Sequence, residues 1–205
     1  MTSEGEGGSG GTTPLDPDEA EGLLQPHITT QEELNEAEAA NITEALFWAL
    51  GTRPGRRDPL SEKYVFELHR RMFNRVWSWA GTPRLTQKNV GVAAWEIRPG
   101  VRDTIADARV WRDALRTDRP VFPLDEIAVR VHHRLVWVHP FPNGNGRHAR
   151  MMADLVLRHA GAPPLTWGGT SGSLVSTGTL RDRYLAALRA ADRGDYGPLI
   201  AFAKS

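Results

Sequence analysis

A histidine, a glycine-rich turn and two arginines share one short stretch of this chain: His139-Pro140-Phe141-Pro142-Asn143-Gly144-Asn145-Gly146-Arg147, completed by Arg150. An apolar run at helical spacing precedes it (Ile127, Val131, Leu135, Val138), and another follows (Met151, Met152, Leu155, Val156). A loop that opens a helix presents backbone N–H groups with no intrahelical acceptor at the positive end of the dipole, which makes an anion site. Glycines let that backbone approach the anion closely. Arginines add paired donors matched to phosphate oxygens. The histidine just upstream is of the right type to take a proton from a nucleophile near neutral pH. From residue chemistry alone, the stretch reads as a phosphate-binding site with a built-in base.

Two helices must hold that stretch, and the sequence predicts them over residues 124–138 and 147–160. Upstream, residues 1–13 are Gly, Ser, Thr and Glu and are expected to stay disordered. Asp16-Pro17-Asp18-Glu19 reads as the start of a short helix that Gly22 and Pro26 stop. Residues 32–50, begun at Thr29 or Thr30, carry Leu34, Ala37, Ile42, Ala45 and Leu46 at helical spacing. Residues 51–59 form a breaker-rich basic loop. Residues 61–79 predict a strong helix with Val65, Leu68, Met72, Phe73 and Val76 on one face. Between Pro83 and Pro99 the run Gly91-Val92-Ala93-Ala94-Trp95-Glu96-Ile97 predicts part of a small hairpin. Helices over 101–116, 179–191 and 196–203 complete the reading: an all-α fold of six to eight helices with one β-hairpin.

The 205 residues fit one domain with a tail. Lys+Arg and Asp+Glu both number 25, so the charge balance points to no general nucleic-acid or membrane partner. There are no cysteines, which excludes disulfides and thiolate metal sites and fits a cytoplasmic setting. No apolar run reaches membrane-spanning length, and the Gly-rich acidic start does not read as a secretory signal. The seven tryptophans are expected to fill a helical core.

The stretch resembles the signature of the Fic (Fido) family, His-Pro-Phe-x-Asp/Glu-Gly-Asn-Gly/Lys-Arg with a second Arg three residues on. It departs from that signature only at Asn143, where the family usually has an acid. The resemblance extends to Leu68-His69-Arg70 through Phe73, to Trp77-x-Trp79-Ala80-Gly81-x-x-Arg84, and to Arg193-Gly194-Asp195-Tyr196-x-Pro198-Leu199. Residues 14–42, with Glu21-Gly22, resemble the subgroup called mobile mystery protein B. The resemblance divides the chain into a tail (1–13), N-terminal helices with a possible inhibitory segment (14–50) and a core (51–205). It implies a helical fold and transfer of AMP from ATP, with Mg²⁺, to a hydroxyl of an unidentified target protein. A bacterial, toxin-like setting is implied by the family alone.

In that reading His139 is the general base. Gly144, Asn145 and Gly146 cradle the α- and β-phosphates, with the Asn145 side chain part of the anion hole. Arg147 holds the β-phosphate region and Arg150 reaches the γ-phosphate. Asn143 stands where an acid would hold Mg²⁺, a cation that prefers charged oxygen ligands. Val90, Gly91, Val92 and Ala93 lie in the flap that takes an extended target segment by strand addition. Glu21, in Pro17-x-x-x-Glu21-Gly22, matches an inhibitory motif in part and would pair with Arg150. Phe141 is expected under the loop, and His132, His133 and His148 in structural or surface roles.

Other readings stay open. Gly144-x-Gly146-x-x-Ala149 formally fits a dinucleotide fingerprint, but no βαβ pattern follows it. A Fic-fold kinase like the Doc toxins would have Ala and Lys where Gly144 and Gly146 stand. A non-catalytic binding module, or transfer from another nucleotide, would fit the Asn143 departure. Nothing in the sequence fixes the oligomeric state.

Overall fold

The computed structural model describes residues 22–51, 57–169 and 179–205. The expected tail, the helix start at Asp16 and the inhibitory candidate Glu21 lie outside the described residues. Seven α-helices are formed among those described: α1 (Gln31–Leu50), α2 (Glu62–Phe73), α3 (Ile97–Ala114), α4 (Leu124–Val138), α5 (Asn145–His159), α6 (Thr179–Asp192) and α7 (Gly197–Ala203). α4 and α5 pack together at the centre. α1 lies on α2, α3 on α4, and α6 on α7.

Local chemistry sets the ends of these helices. Thr30 caps α1 in a reciprocal box: its Oγ1 accepts from Glu33 N at 3.3 Å, and Glu33 Oε2 accepts from Thr30 N at 3.1 Å. Ser61 caps α2 by accepting from Tyr64 N at 3.3 Å. The sequence predicts α2 through Trp79, yet it stops at Phe73, and Asn41 of α1 is the reason. Its Oδ1 accepts from Arg75 N at 3.0 Å and its Nδ2 donates to Arg71 O at 2.9 Å. Those are the two backbone groups that one more helical turn would have joined. Beyond the break, Leu23 pairs with Trp77 in a single antiparallel bridge.

The hairpin expected around residues 86–97 is not formed. The segment is an irregular loop that ends in a 3₁₀ turn, Ala94–Glu96, and runs straight into α3. Arg84 takes the carbonyl oxygens of Thr86 (2.9 Å) and Val92, which draws the two limbs onto one side chain rather than onto each other. Pro99 does not delay α3, because proline is tolerated in a first turn. Gly100 follows it because a Cβ there would meet Val138 Cγ2 at 2.9 Å.

The core is apolar and continuous. Val65, Leu68, Met72 and Phe73 of α2 meet Val131 and Leu135 of α4 and Met152 and Val156 of α5, all fully or nearly fully buried. The tryptophans divide. Trp77 and Trp167 are buried, and Trp48, Trp79 and Trp111 pack against the core, but Trp95 and Trp137 are exposed. Among the described residues, no helix is long and apolar enough to cross a membrane.

Candidate active site

α4 ends where His139 turns left-handed, at φ 51°, an arrangement that costs a non-glycine residue roughly 1–2 kcal/mol. That turn sends Phe141 down into the core and leaves the His139 ring half-buried at the surface. Phe141 stacks on His69 with ring centroids 3.6 Å apart and meets the rings of Phe66 and His148 edge-on.

Asn145 then closes the loop: its Oδ1 accepts from Phe141 N at 3.0 Å and its Nδ2 donates to Phe141 O at 2.8 Å. The side chain expected in the anion hole is thus turned onto the loop's own backbone. Gly144 adopts φ 78° just before α5, and a Cβ there would meet the Phe73 ring at 2.6 Å, so only glycine fits. His69 braces the loop from beneath. Its Nδ1 accepts from Gly81 N at 3.0 Å, which leaves Nε2–H to donate to Asn143 O at 3.1 Å. Burial, first, and the neighbouring His148 hold its pKa well below 6.5, consistent with that neutral tautomer.

α5 begins at Asn145, two residues before the predicted start, so its free N–H groups open directly from the loop. Above them lies a cleft of about 480 Å³ lined by His139, Asn143–Arg147 and Arg150, by Leu34 and Glu38 of α1, and by Arg181, Tyr184 and Leu185 of α6. His139 and the six residues expected to bind nucleotide (Asn143, Gly144, Asn145, Gly146, Arg147 and Arg150) therefore line one cavity. Val90, Gly91, Val92 and Ala93, expected in the flap, are not in its lining; Gly91 sits beside His139, where a Cβ on it would lie 2.5 Å from His139 Cβ.

The electrostatics suit a base beside an anion. Burial lowers the His139 pKa below 6.5, and the cationic Arg84 lowers it further. Arg84 is itself buried and donates from Nε to His139 O at 2.8 Å, so it both holds the turn and keeps the ring neutral. Arg150 is depressed by burial and donates to Tyr184, whose OH lies 3.0 Å from His132 Nε2. Tyr184 is pushed up to about 12 by burial, so it stays a neutral phenol.

A protein-held Mg²⁺ does not fit these donors. Asn143 offers one uncharged oxygen, and that Oδ1 accepts from Gly144 N at 2.6 Å. Glu38, the carboxylate in the cleft lining, has both oxygens engaged by Trp77 and Arg147. Among the described residues no group of three or more His, Asp or Glu could hold a metal ion.

Sequence reasoning missed Glu38, Tyr184 and Arg181 as members of the cleft, and it gave Arg84 and His69 no role. His132 and His148 are fully buried, while His133 joins Asp192 (2.8 Å) and Tyr196 (3.0 Å), and none of the three lines the cleft.

The "Protein adenylyltransferase Fic" of Nematostella vectensis is 29% identical over 172 residues, 82% of this chain and 37% of that protein. The "Protein adenylyltransferase fic-1" of Caenorhabditis elegans is 31% identical over 146 residues, 71% of this chain and 27% of that one. The chain thus spans about a quarter to a third of the length of these relatives. Among solved structures, a Fic-1 fragment from C. elegans superposes with a TM-score of 0.63 at 24% identity, covering 89% of this chain and 50% of that one. A Fic domain from Bartonella quintana, with bound ADP, superposes at 0.62 with 17% identity, covering 87% and 86%. These likenesses establish the helical Fic fold. The Fic/DOC family model matches residues 59–157, a segment that takes in His69, the whole loop and both arginines, and the chain belongs to that family.

Proposed function

We propose that this protein transfers AMP from ATP to a hydroxyl side chain of a target protein. The hydroxyl oxygen attacks the α-phosphorus, a new P–O bond forms, the bond to the β-phosphate bridging oxygen breaks, and pyrophosphate leaves. His139 takes the hydroxyl proton as the bond forms. One observation carries the reading: a histidine kept neutral by burial and by Arg84 stands at the mouth of a cleft whose floor is a helix N-terminus flanked by two arginines. Phosphoryl-type transfer asks the protein for position and charge rather than covalent chemistry, and both are supplied here.

The N–H groups opening α5 would receive the α- and β-phosphates, Arg147 the β-phosphate region and Arg150 the γ-phosphate. Any Mg²⁺ would ride on the nucleotide's own phosphates. Val90, Gly91, Val92 and Ala93 are the proposed contact for an extended target segment, and Glu21 the proposed brake through Arg150. The uncharged Asn143 favours one alternative, a module that binds nucleotide and partner without turnover. Intact mass after incubation with ATP and Mg²⁺ separates the two. Transfer predicts an added AMP mass, larger in Glu21→Gly and lost in His139→Ala. Nucleotide binding with no adduct in any form would support the module.

A further inference from the structure

Glu38 is a carboxylate in the cleft wall that the transfer chemistry does not use. Its side chain is 3% exposed. Oε1 accepts from Trp77 Nε1 at 2.8 Å, and Oε2 accepts from Arg147 Nη1 at 2.5 Å. The Arg147 guanidinium also lies over the Phe73 ring, 5.0 Å from its centroid. A charge this deep is tolerable only because both oxygens have donors. Stability alone does not call for the pair, since apolar side chains of similar size generally do as well or better in such a place.

The pair does something specific to the arginine. A guanidinium has five N–H donors in a rigid fork. Glu38 engages one nitrogen, and the ring of Phe73 supports the plane. Nε and Nη2 have no acceptor among the described residues, and Arg147 remains 24% exposed at the cleft. A free arginine on a helix surface would have to give up rotamer freedom on meeting a phosphate, whereas this one has lost it already.

We infer that Glu38 is a positioning residue: it touches no substrate, and it fixes Arg147 so that the unengaged edge of the guanidinium faces the β-phosphate. The inference rests on reading the cleft as a nucleotide site. It predicts an effect confined to ligands that possess a β-phosphate, which a general loosening of the fold would not produce.

The test is calorimetric titration of ADP and of AMP into the wild-type chain and Glu38→Gln, with thermal unfolding in parallel. The amide keeps the size but has one oxygen: with that oxygen on Trp77 Nε1, an NH₂ donor faces Arg147 where a carboxylate oxygen stood. ADP affinity is expected to fall about tenfold, the loss of one charge-assisted contact, while AMP affinity stays within about twofold. Arg147→Gln should show the same ADP loss, with no further fall when Glu38→Gln is added. Should Glu38→Gln fail to fold, Glu38→Asp, which draws the carboxylate back by one methylene, must show the same selective loss. Unchanged or tighter ADP binding overturns the inference, and so does an equal loss of AMP and ADP. A wild-type chain that binds neither nucleotide removes the reading of the cleft itself, and the inference with it.

Discussion

Two surfaces flank His139, and they are built on opposite terms. Beneath the loop, Phe141, His69, Gly144 and Asn145 are buried, and the polar groups that shape the loop are paired: Asn145 with both backbone groups of Phe141, His69 with Gly81 and Asn143. Beside it, the segment before α3 is open. Leu85 is 88% exposed and Trp95 81%, and the segment is held chiefly by Arg84. The buried side has one solution, because its polar atoms have no water to fall back on. The open side offers exposed apolar side chains to whatever arrives. In the proposed function, positioning of phosphate and base falls to the first surface, and recognition of a protein target to the second.

Substitutions should separate the two surfaces in order of size. His139→Ala removes the proposed base and is expected to lower the transfer rate by about 10²–10⁴-fold while leaving nucleotide affinity intact, as single-turnover and binding measurements would show. His69→Phe keeps the stack on Phe141 but strands Gly81 N–H and Asn143 O; urea unfolding should show a loss of about 3 kcal/mol, with weaker nucleotide binding. Gly144→Ala places a methyl against Phe73 at a positive φ and should cost about 2 kcal/mol by the same assay.

The pH dependence sharpens the contrast further. His69, His132 and His148 are buried and held below 6.5, His148 at about 4, each mainly by desolvation. A base depressed in the folded state binds fewer protons there than when unfolded. Stability is therefore complete above about pH 6.5 and falls as the pH drops toward the folded values, at up to about 1.4 kcal/mol per pH unit for each group. His139 is depressed as well, so transfer should hold level through the ordinary histidine range and decline only below it. On the open side, Trp95→Ala should change stability by less than about 0.5 kcal/mol. Target modification should fall in that variant without loss of nucleotide affinity.

How far the sequence reaches follows from where contacts are made. The loop was legible because its chemistry is contiguous: base, glycines and arginines lie along one stretch, and the α4 and α5 patterns bracket it. Glu38, Tyr184 and Arg84 reach the site from remote elements, and sequence distance conceals them. A signal for Glu38 did exist: Leu34, Glu38, Asn41 and Ala45 follow helical spacing, and all four are buried. Two polar residues on the buried face of α1 mark the arginine clamp and the cap that ends α2. The run from Gly91 to Ile97 misled because β-branched residues near a glycine describe a strand only if a second strand is there to pair. Here Arg84 takes the carbonyls instead. Trp95 and Trp137, expected inside, are exposed for a related reason: burial is decided by neighbours that composition does not reveal.

The most direct test of AMP transfer follows the phosphorus atoms. ATP labelled at the α-phosphorus and ATP labelled at the γ-phosphorus should be incubated separately with the chain, with Glu21→Gly and with His139→Ala, and the protein separated from free nucleotide under denaturing conditions. The α label should remain on protein, the γ label should not, and His139→Ala should retain neither. Retention of the γ label would mean phosphate rather than AMP is moved. No retained label of either kind, with nucleotide bound under native conditions, would contradict the transferase account in favour of a binding module.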